Sequence, residues 1–396
     1  MENCKAKGEV STLTRRIFTD VNQIPTQDWN CVQAERNIYL SIPYLKALQH
    51  GMGSKMKFFF VISYITDGTP VMISSFQLVR FKDKRKKYTV HLCKLSYHLT
   101  KKLEDALTLN VLVCGNVFSD GENGLLWSNL ITPEDAMEEA EQVIEDLKKK
   151  EKVNEESSVI LFKEFWTKSV TFSDRLKQFS YRHFMIDVNM VLKMHSDWQT
   201  FDDYLSSMKT KFRTRAKSIL KKSESLELRS LSSDEIVQYQ DKIDLLFSNV
   251  LEKSDFSVGV MTSETFSLLK EALPQAFKVT GAFYKGELVG FSTSFVNGQI
   301  LEANYVGIDY ELNNELCIYQ RILLDYITQG LNLSVAEIHL GRTAELMKSQ
   351  IGALPENMSL YIKHQKSVPN LLLKPIIESI SPSEFELRPP FKSNFN

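Results

Sequence analysis

A chain of 396 residues is longer than one hydrophobic core usually supports, so two units of ordinary size are expected. Its 43% hydrophobic and 24% charged residues fit a soluble globular protein, and a formal net charge of -1 excludes a global attraction to nucleic acid or membrane. The five cysteines, Cys4, Cys31, Cys93, Cys114 and Cys317, are odd in number, widely spaced and form no CxxC pair, which argues against a disulfide framework and a zinc site. No window approaches the roughly 20 apolar residues of a spanning helix, and the start MENCKAKGEVSTLTRR has no apolar export core, so a cytoplasmic protein without metal is expected.

In chain order, Trp29 to Gly51 reads as helical, and Phe58 to Phe81 as two apolar strands turning at Asp67-Gly68. Leu109 to Cys114 is a buried-type strand that ends at Gly115-Asn116. The polar loop Ser119 to Gly124 behind it either holds a phosphate or turns the chain. Pro133 to Glu156 reads as a solvated helix with acids early and lysines late, as the helix dipole favours, and Ser158 to Phe162 as another buried strand. Near Met185 to Ser196 a strand hands the chain to its second half.

The second half opens with a helix expected from Asp202 to Lys222. Lys209, Lys211, Arg213, Arg215, Lys217, Lys221 and Lys222 give it a cationic face, while Tyr204, Leu205, Met208, Phe212, Ala216, Ile219 and Leu220 form its apolar one. Such a face is either merely solvated or a partner surface for tRNA, carrier-protein phosphopantetheine, acidic protein or anionic lipid. Ile300 to Val306 follows as a strand around Glu302 and Asn304. Asn313-Asn314 is positioned to cap a long helix ending at Gly330, and Ala336 to Leu340 is a second strand closing in Gly341-Arg342-Thr343. This is the order of a β-α-β crossover, whose strand ends bind ligands in open α/β sheets.

The halves echo each other. Gly68, Val71 and Ser74 recur as Gly286, Val289 and Ser292, 218 residues on, and each hairpin precedes a strand, helix, strand unit, so a duplicated fold is expected.

The segments TFDDYLSSMKTKFRTRAKSILKKSESLEL, AFYKGELVGFSTSFVNG, NYVGID, HLGRTAELMKSQIGA and LYIKH, with WNCVQAERNIYLSIPYLKALQ and LVCGNVFSDGENG more weakly in the first half, resemble the tandem-GNAT proteins of the FemAB-like and peptidoglycan-biosynthesis-like acyltransferase group. The resemblance covers most of the chain and is most specific in the basic helix and in GRTAELMKSQIGA. It implies an α/β protein (α+β mixed sheet) of two tandem GNAT-like domains, with residues 1–190 as scaffold and 191–396 as the catalytic unit. It further implies an N-acyltransferase that moves an acyl group from a thioester or ester to an amine directly. Direct transfer needs no nucleophile motif, and none such as GxSxG is present.

For the site, the resemblance implies carbonyl polarisation by backbone N–H groups at Asn304, Tyr305 and Val306. Glu302 becomes the base if it faces the cleft, with Asn304 on the same side, and Arg342, Thr343 and Lys348 follow at the neighbouring strand end. Tyr361 is the nearest phenol for protonating the leaving group. Standard GNAT enzymes take that acid from the preceding helix, which leaves the role open. His339 and Cys317 read as packed residues.

GNAT enzymes cradle a pyrophosphate with a glycine-rich loop, whereas Asp309 to Glu315 here has no glycine and three acids, with Asn313 and Asn314 left as donor-binding candidates. Acyl-CoA therefore stands beside acyl carrier protein as co-substrate, with no tightly bound cofactor. The expected acceptor is a small-molecule or lipid-precursor amine, and contact with an anionic membrane surface suits the basic helix. Two alternatives remain: an aminoacyl-tRNA-dependent FemAB-like enzyme, and a non-catalytic module binding a carrier, lipid precursor or cell-wall fragment.

Overall fold

The computed structural model describes residues 13–82, 108–253, 261–378 and 385–395. Cys4 and Cys93 lie outside them. The strands are β1 (Thr14–Phe18), β2 (Lys57–Tyr64), β3 (Pro70–Lys82), β4 (Thr108–Cys114), β5 (Leu125–Trp127), β6 (Val159–Trp166), β7 (Arg182–Phe184), β8 (Val188–Lys193), β9 (Glu227–Ser230), β10 (Phe277–Tyr284), β11 (Glu287–Asn297), β12 (Ile300–Ile308), β13 (Glu337–His339) and β14 (Leu354–His364). They join one mixed sheet in the order β1-β2-β3-β4-β6-β14-β8-β13-β12-β11-β10-β9, with β5 beside β3 and β7 beside β14.

The hairpin strands are apolar because both faces of the sheet are covered. Phe58, Phe60 and Ile62 of β2 point into one core, while Phe59 and Val61 point into another under the helix Pro133–Lys150. That helix is capped by a reciprocal Thr132–Asp135 box and buries Ala136, Met137, Ala140, Val143, Ile144 and Leu147. It is not merely a solvated helix, because Glu139 is also buried against Arg15 at 2.6 Å and Glu141 against Lys363 at 2.6 Å.

The expected repetition is visible in the pairing. β2-β3-β4 run antiparallel and β4 pairs in parallel with β6, just as β10-β11-β12 run antiparallel and β12 pairs in parallel with β13. The halves also exchange strands. β8 lies between β13 and β14, while β14 pairs with β8 through Leu354 to Asn357 and with β6 through Met358 to His364.

Several helices differ from the sequence expectation at their ends. The Trp29–Gly51 stretch is two helices, Thr26–Gln33 and Ile42–Met52, because Ala34 turns left-handed and Ser41 caps a new start before Pro43. The basic helix is likewise broken into Phe201–Ser207 and Thr210–Lys222, with Met208 and Lys209 extended and bonded to the C-terminal segment around Phe391 and Pro390. Lys209, Lys211, Arg215 and Lys217 are exposed, Arg213 is half-buried, and among the described residues none of the five forms an ion pair. Gly330 does not end the long helix, which runs from Ile318 to Asn332. The glycine sits inside it where a Cβ would meet Ile338.

Candidate active site

The pairing of β12 with β13 stops at Glu302 opposite His339. β12 continues to Ile308, while the chain after β13 turns away through Gly341, Thr343 and Ala344, all with positive φ. A cleft of about 340 Å³ opens there. Its lining combines second-half residues with Val117, Phe118, Ser119, Asp120 and Lys163 of the first half.

On β12 the ladder with β11 is irregular between Ala303 and Val306, where Asn304 and Tyr305 bulge. Asn304, Tyr305 and Val306 all line the cleft. The Tyr305 amide, expected to be a free donor, is instead bonded to Thr293 Oγ1 at 3.0 Å, and the Tyr305 hydroxyl reaches the Phe118 carbonyl at 3.1 Å.

Glu302 does not reach the cleft, because its carboxylate is buried and both oxygens are taken. Tyr39 of the first half donates to Oε2 at 2.7 Å and Asn297 Nδ2 to Oε1 at 2.9 Å. Burial pushes its pKa up, against those two hydrogen bonds. Tyr39 has one proton, given to Glu302, so it must accept from Asn304 Nδ2 at 3.2 Å. That fixes the amide of Asn304 and leaves its Oδ1 buried without a partner. An unpaired acceptor in a cleft favours a ligand N–H.

At the other strand end, Arg342 meets three carboxylates of the first half: Asp120 at 3.1 Å, Asp187 at 3.8 Å, and the fully buried Glu164. Burial works to raise the Asp120 pKa, yet the charges of Arg342, Lys163 and Lys348 keep it below the usual carboxylate range. Lys163 is pushed down to about 7 by burial and by Arg342. Its Nζ nevertheless lies among the Asn116 carbonyl at 3.0 Å, the Ser119 carbonyl and Glu164 at 3.2 Å. Three acceptors match the three hydrogens of an ammonium, so we read Lys163 as a cation pinning the 116–120 loop.

Lys348 is 4% exposed, and its Nζ donates to the carbonyls of Gly341 at 3.1 Å and Arg342 at 2.5 Å. These bonds brace a turn whose left-handed Thr343 and Ala344 each cost about 1 kcal/mol or more. The third Nζ position is left for the cleft. Burial pushes Lys348 down to about 8, from an ordinary 10.5. Between those values the unfolded chain holds more protons than the folded one, so this lysine's contribution to stability rises with pH. The unfolding free energy of the wild type, measured relative to Lys348→Met in urea melts, should climb by an amount on the order of 3 kcal/mol from pH 7.5 to 10.5.

Tyr361 lies elsewhere. It is fully buried in the first-half core, with its hydroxyl 2.9 Å from Ser173 Oγ and 2.8 Å from Asp174, because β14 has crossed to pair with β6. Tyr361→Phe is expected to cost about 1 kcal/mol in urea unfolding and to leave turnover unchanged.

Asn313 and Asn314 do not line the cleft. Asn313 Oδ1 accepts from the Tyr319 amide at 2.9 Å, and Asn314 is exposed. Asp309 to Glu315 is largely a helix, Tyr310–Leu316, ended by left-handed Cys317, which thus sits in a helix break rather than within a helix. Thr343 and Arg342 line the cleft as expected. His339 is buried against the edge of Trp166 and bonded to Glu337 at 3.0 Å.

No family model matches the sequence, and neither does any curated protein. Among solved structures, FemX is similar with a TM-score of 0.55 at 11% identity, over 92% of this chain and 100% of FemX. The fold is that of the FemAB-like, tandem-GNAT group. Weaker likenesses include L-PGS from Bacillus licheniformis, with 12% identity, 89% and 96% of the two chains and a TM-score of 0.48. A tandem GNAT protein from the clavulanic acid biosynthesis pathway shows 9% identity, 89% and 98% coverage and a TM-score of 0.48.

The N-terminus of the helix Tyr310–Leu316, where the sequence resemblance places a pyrophosphate cradle, is filled by the protein itself. The Asp309 carboxylate accepts from the amides of Glu311 at 3.0 Å and Leu312 at 3.3 Å, taking the donors a phosphate would use and adding a negative charge. These residues do not fit the nucleotide end of coenzyme A. Among the described residues no helix is long and apolar enough to cross a membrane, and no cluster of three or more His, Cys, Asp or Glu is arranged for a metal ion.

Proposed function

We propose that the protein is an N-acyltransferase that moves an acyl group from a thioester to an amine in the cleft between β12 and the Gly341–Lys348 segment, with both halves contributing to the site. The observation that carries this reading is the pairing, across one cleft, of the unpartnered Asn304 Oδ1 with the buried Lys348 ammonium.

In this reading Asn304 Oδ1 and the Asp120 carboxylate receive the N–H groups of the acceptor and turn its lone pair toward the carbonyl carbon. As nitrogen attacks and the C–S bond breaks, Lys348 supplies positive charge to the developing oxyanion and gives its third proton to the departing sulfur. A pKa of about 8 is close to that of a thiol, which suits a proton shared between the two. The surplus amine proton then restores Lys348. One amide and one free thiol result.

The filled helix N-terminus at Asp309 favours a donor whose thioester arrives on a carrier protein rather than on free coenzyme A. A second reading, aminoacyl-tRNA as donor, is favoured by the exposed basic residues of the helix Thr210–Lys222, which suit phosphate contacts. Donor competition followed by mass detection of the amide separates the two.

A further inference from the structure

We infer that the acyl group taken by this cleft is bulky and apolar, and that Leu323 marks its inner limit; this rests on the acyl-transfer reading above. The cleft is chemically sorted by element. All its charged lining groups come from the first half or from the Gly341–Lys348 segment. The two helices that flank β12, Gln240–Lys253 and Ile318–Asn332, contribute Phe247, Val250 and Leu251 from one and Tyr319, Leu323 and Tyr326 from the other. None of these six carries a charge, and the Tyr326 hydroxyl is already bonded to the Thr293 carbonyl at 3.0 Å. A charged acyl substituent placed there would lose its water without meeting an opposite charge among these six, whereas an alkyl or aryl group gains burial.

Leu323 has a second role. It also lines a smaller cavity of about 30 Å³ under the basic helix, together with Phe212, Ile219, Leu324 and Met347. One side chain common to both spaces is the partition between them. Its size therefore sets how deep an acyl chain can reach before meeting the packed underside of the helix Thr210–Lys222.

The test uses S-acetyl-, S-octanoyl- and S-decanoyl-pantetheine as probes of the full chain, with affinities from titration calorimetry. Six added methylenes should make octanoyl bind at least tenfold tighter than acetyl. Val250→Asp, at a half-buried wall position, should weaken octanoyl at least tenfold and acetyl less than threefold. Leu323→Ala should raise the decanoyl-to-octanoyl affinity ratio at least fivefold, and Leu323→Val in the same direction by less if the alanine variant does not fold. Equal binding of acetyl and octanoyl, absence of binding by every probe, or equal losses for both probes in Val250→Asp would overturn the inference. Chain-selective binding with no transfer to any amine would uphold the pocket and count against the acyl-transfer reading instead.

Discussion

Lys348→Met is expected to slow amide formation by about 10²–10³-fold while changing stability at neutral pH by less than about 2 kcal/mol. The asymmetry follows from what the side chain does in the fold. Its ammonium is almost completely buried and bonded only to the carbonyls of Gly341 and Arg342, so methionine removes an expensive desolvated charge along with two hydrogen bonds. Catalysis loses more, because the other cleft lysine with a lowered pKa, Lys163, has its three hydrogens taken by the Asn116 and Ser119 carbonyls and Glu164. Lys348→Arg should not rescue it: guanidinium keeps the charge but holds its proton too tightly to release it. Stopped-time assays of product by mass, alongside urea melts, separate the two effects.

Arg342→Ala carries the largest expected cost in stability, about 3–5 kcal/mol. It leaves Oε1 of the wholly buried Glu164 without a partner, with Lys163 at 3.2 Å still holding the other oxygen, and removes the counter-charge shared by Asp120 and Asp187. Because all three carboxylates lie in the first half and Arg342 in the second, the loss falls on the junction that forms the cleft. Adding Glu164→Gln to Arg342→Ala should recover part of the loss, since a neutral amide is cheaper to leave buried than a carboxylate. Urea denaturation of wild type, single and double variants measures the difference.

What the sequence made legible was local. The turn at Asp67-Gly68, its echo at Gly286 and the strand, helix, strand order after Ile300 are short-range patterns, and each appears in the fold. The resemblance singled out Asn304, Tyr305, Val306, Arg342, Thr343 and Lys348, which sit on two strand ends of one crossover and line one cleft. Asp120 lies in the polar loop Ser119 to Gly124 noted from the sequence, but Tyr39, Lys163 and Glu164 carry no comparable signal. They reach the site only through the packing of the halves, and Tyr39 is 263 residues from the Glu302 it binds. Tyr361 misled for the related reason that β14 follows the second half in sequence but completes the first half's sheet. Glu302 and Asn304 do share a side, since both meet the Tyr39 hydroxyl, but Glu302 is kept from the cleft because Tyr39 and Asn297 cover its carboxylate.

The most direct test of acyl transfer offers the purified chain one isotope-labelled acyl group on coenzyme A, on acyl carrier protein and, as an aminoacyl ester, on tRNA. Each donor is supplied with a mixture of primary amines, and amide formation is followed by mass for wild type and Lys348→Met. Labelled amide is expected from the wild type, with the carrier-bound donor preferred over coenzyme A, and is expected to be lost in the variant. Absence of labelled amide from every donor, or equal rates for wild type and Lys348→Met, would contradict that expectation.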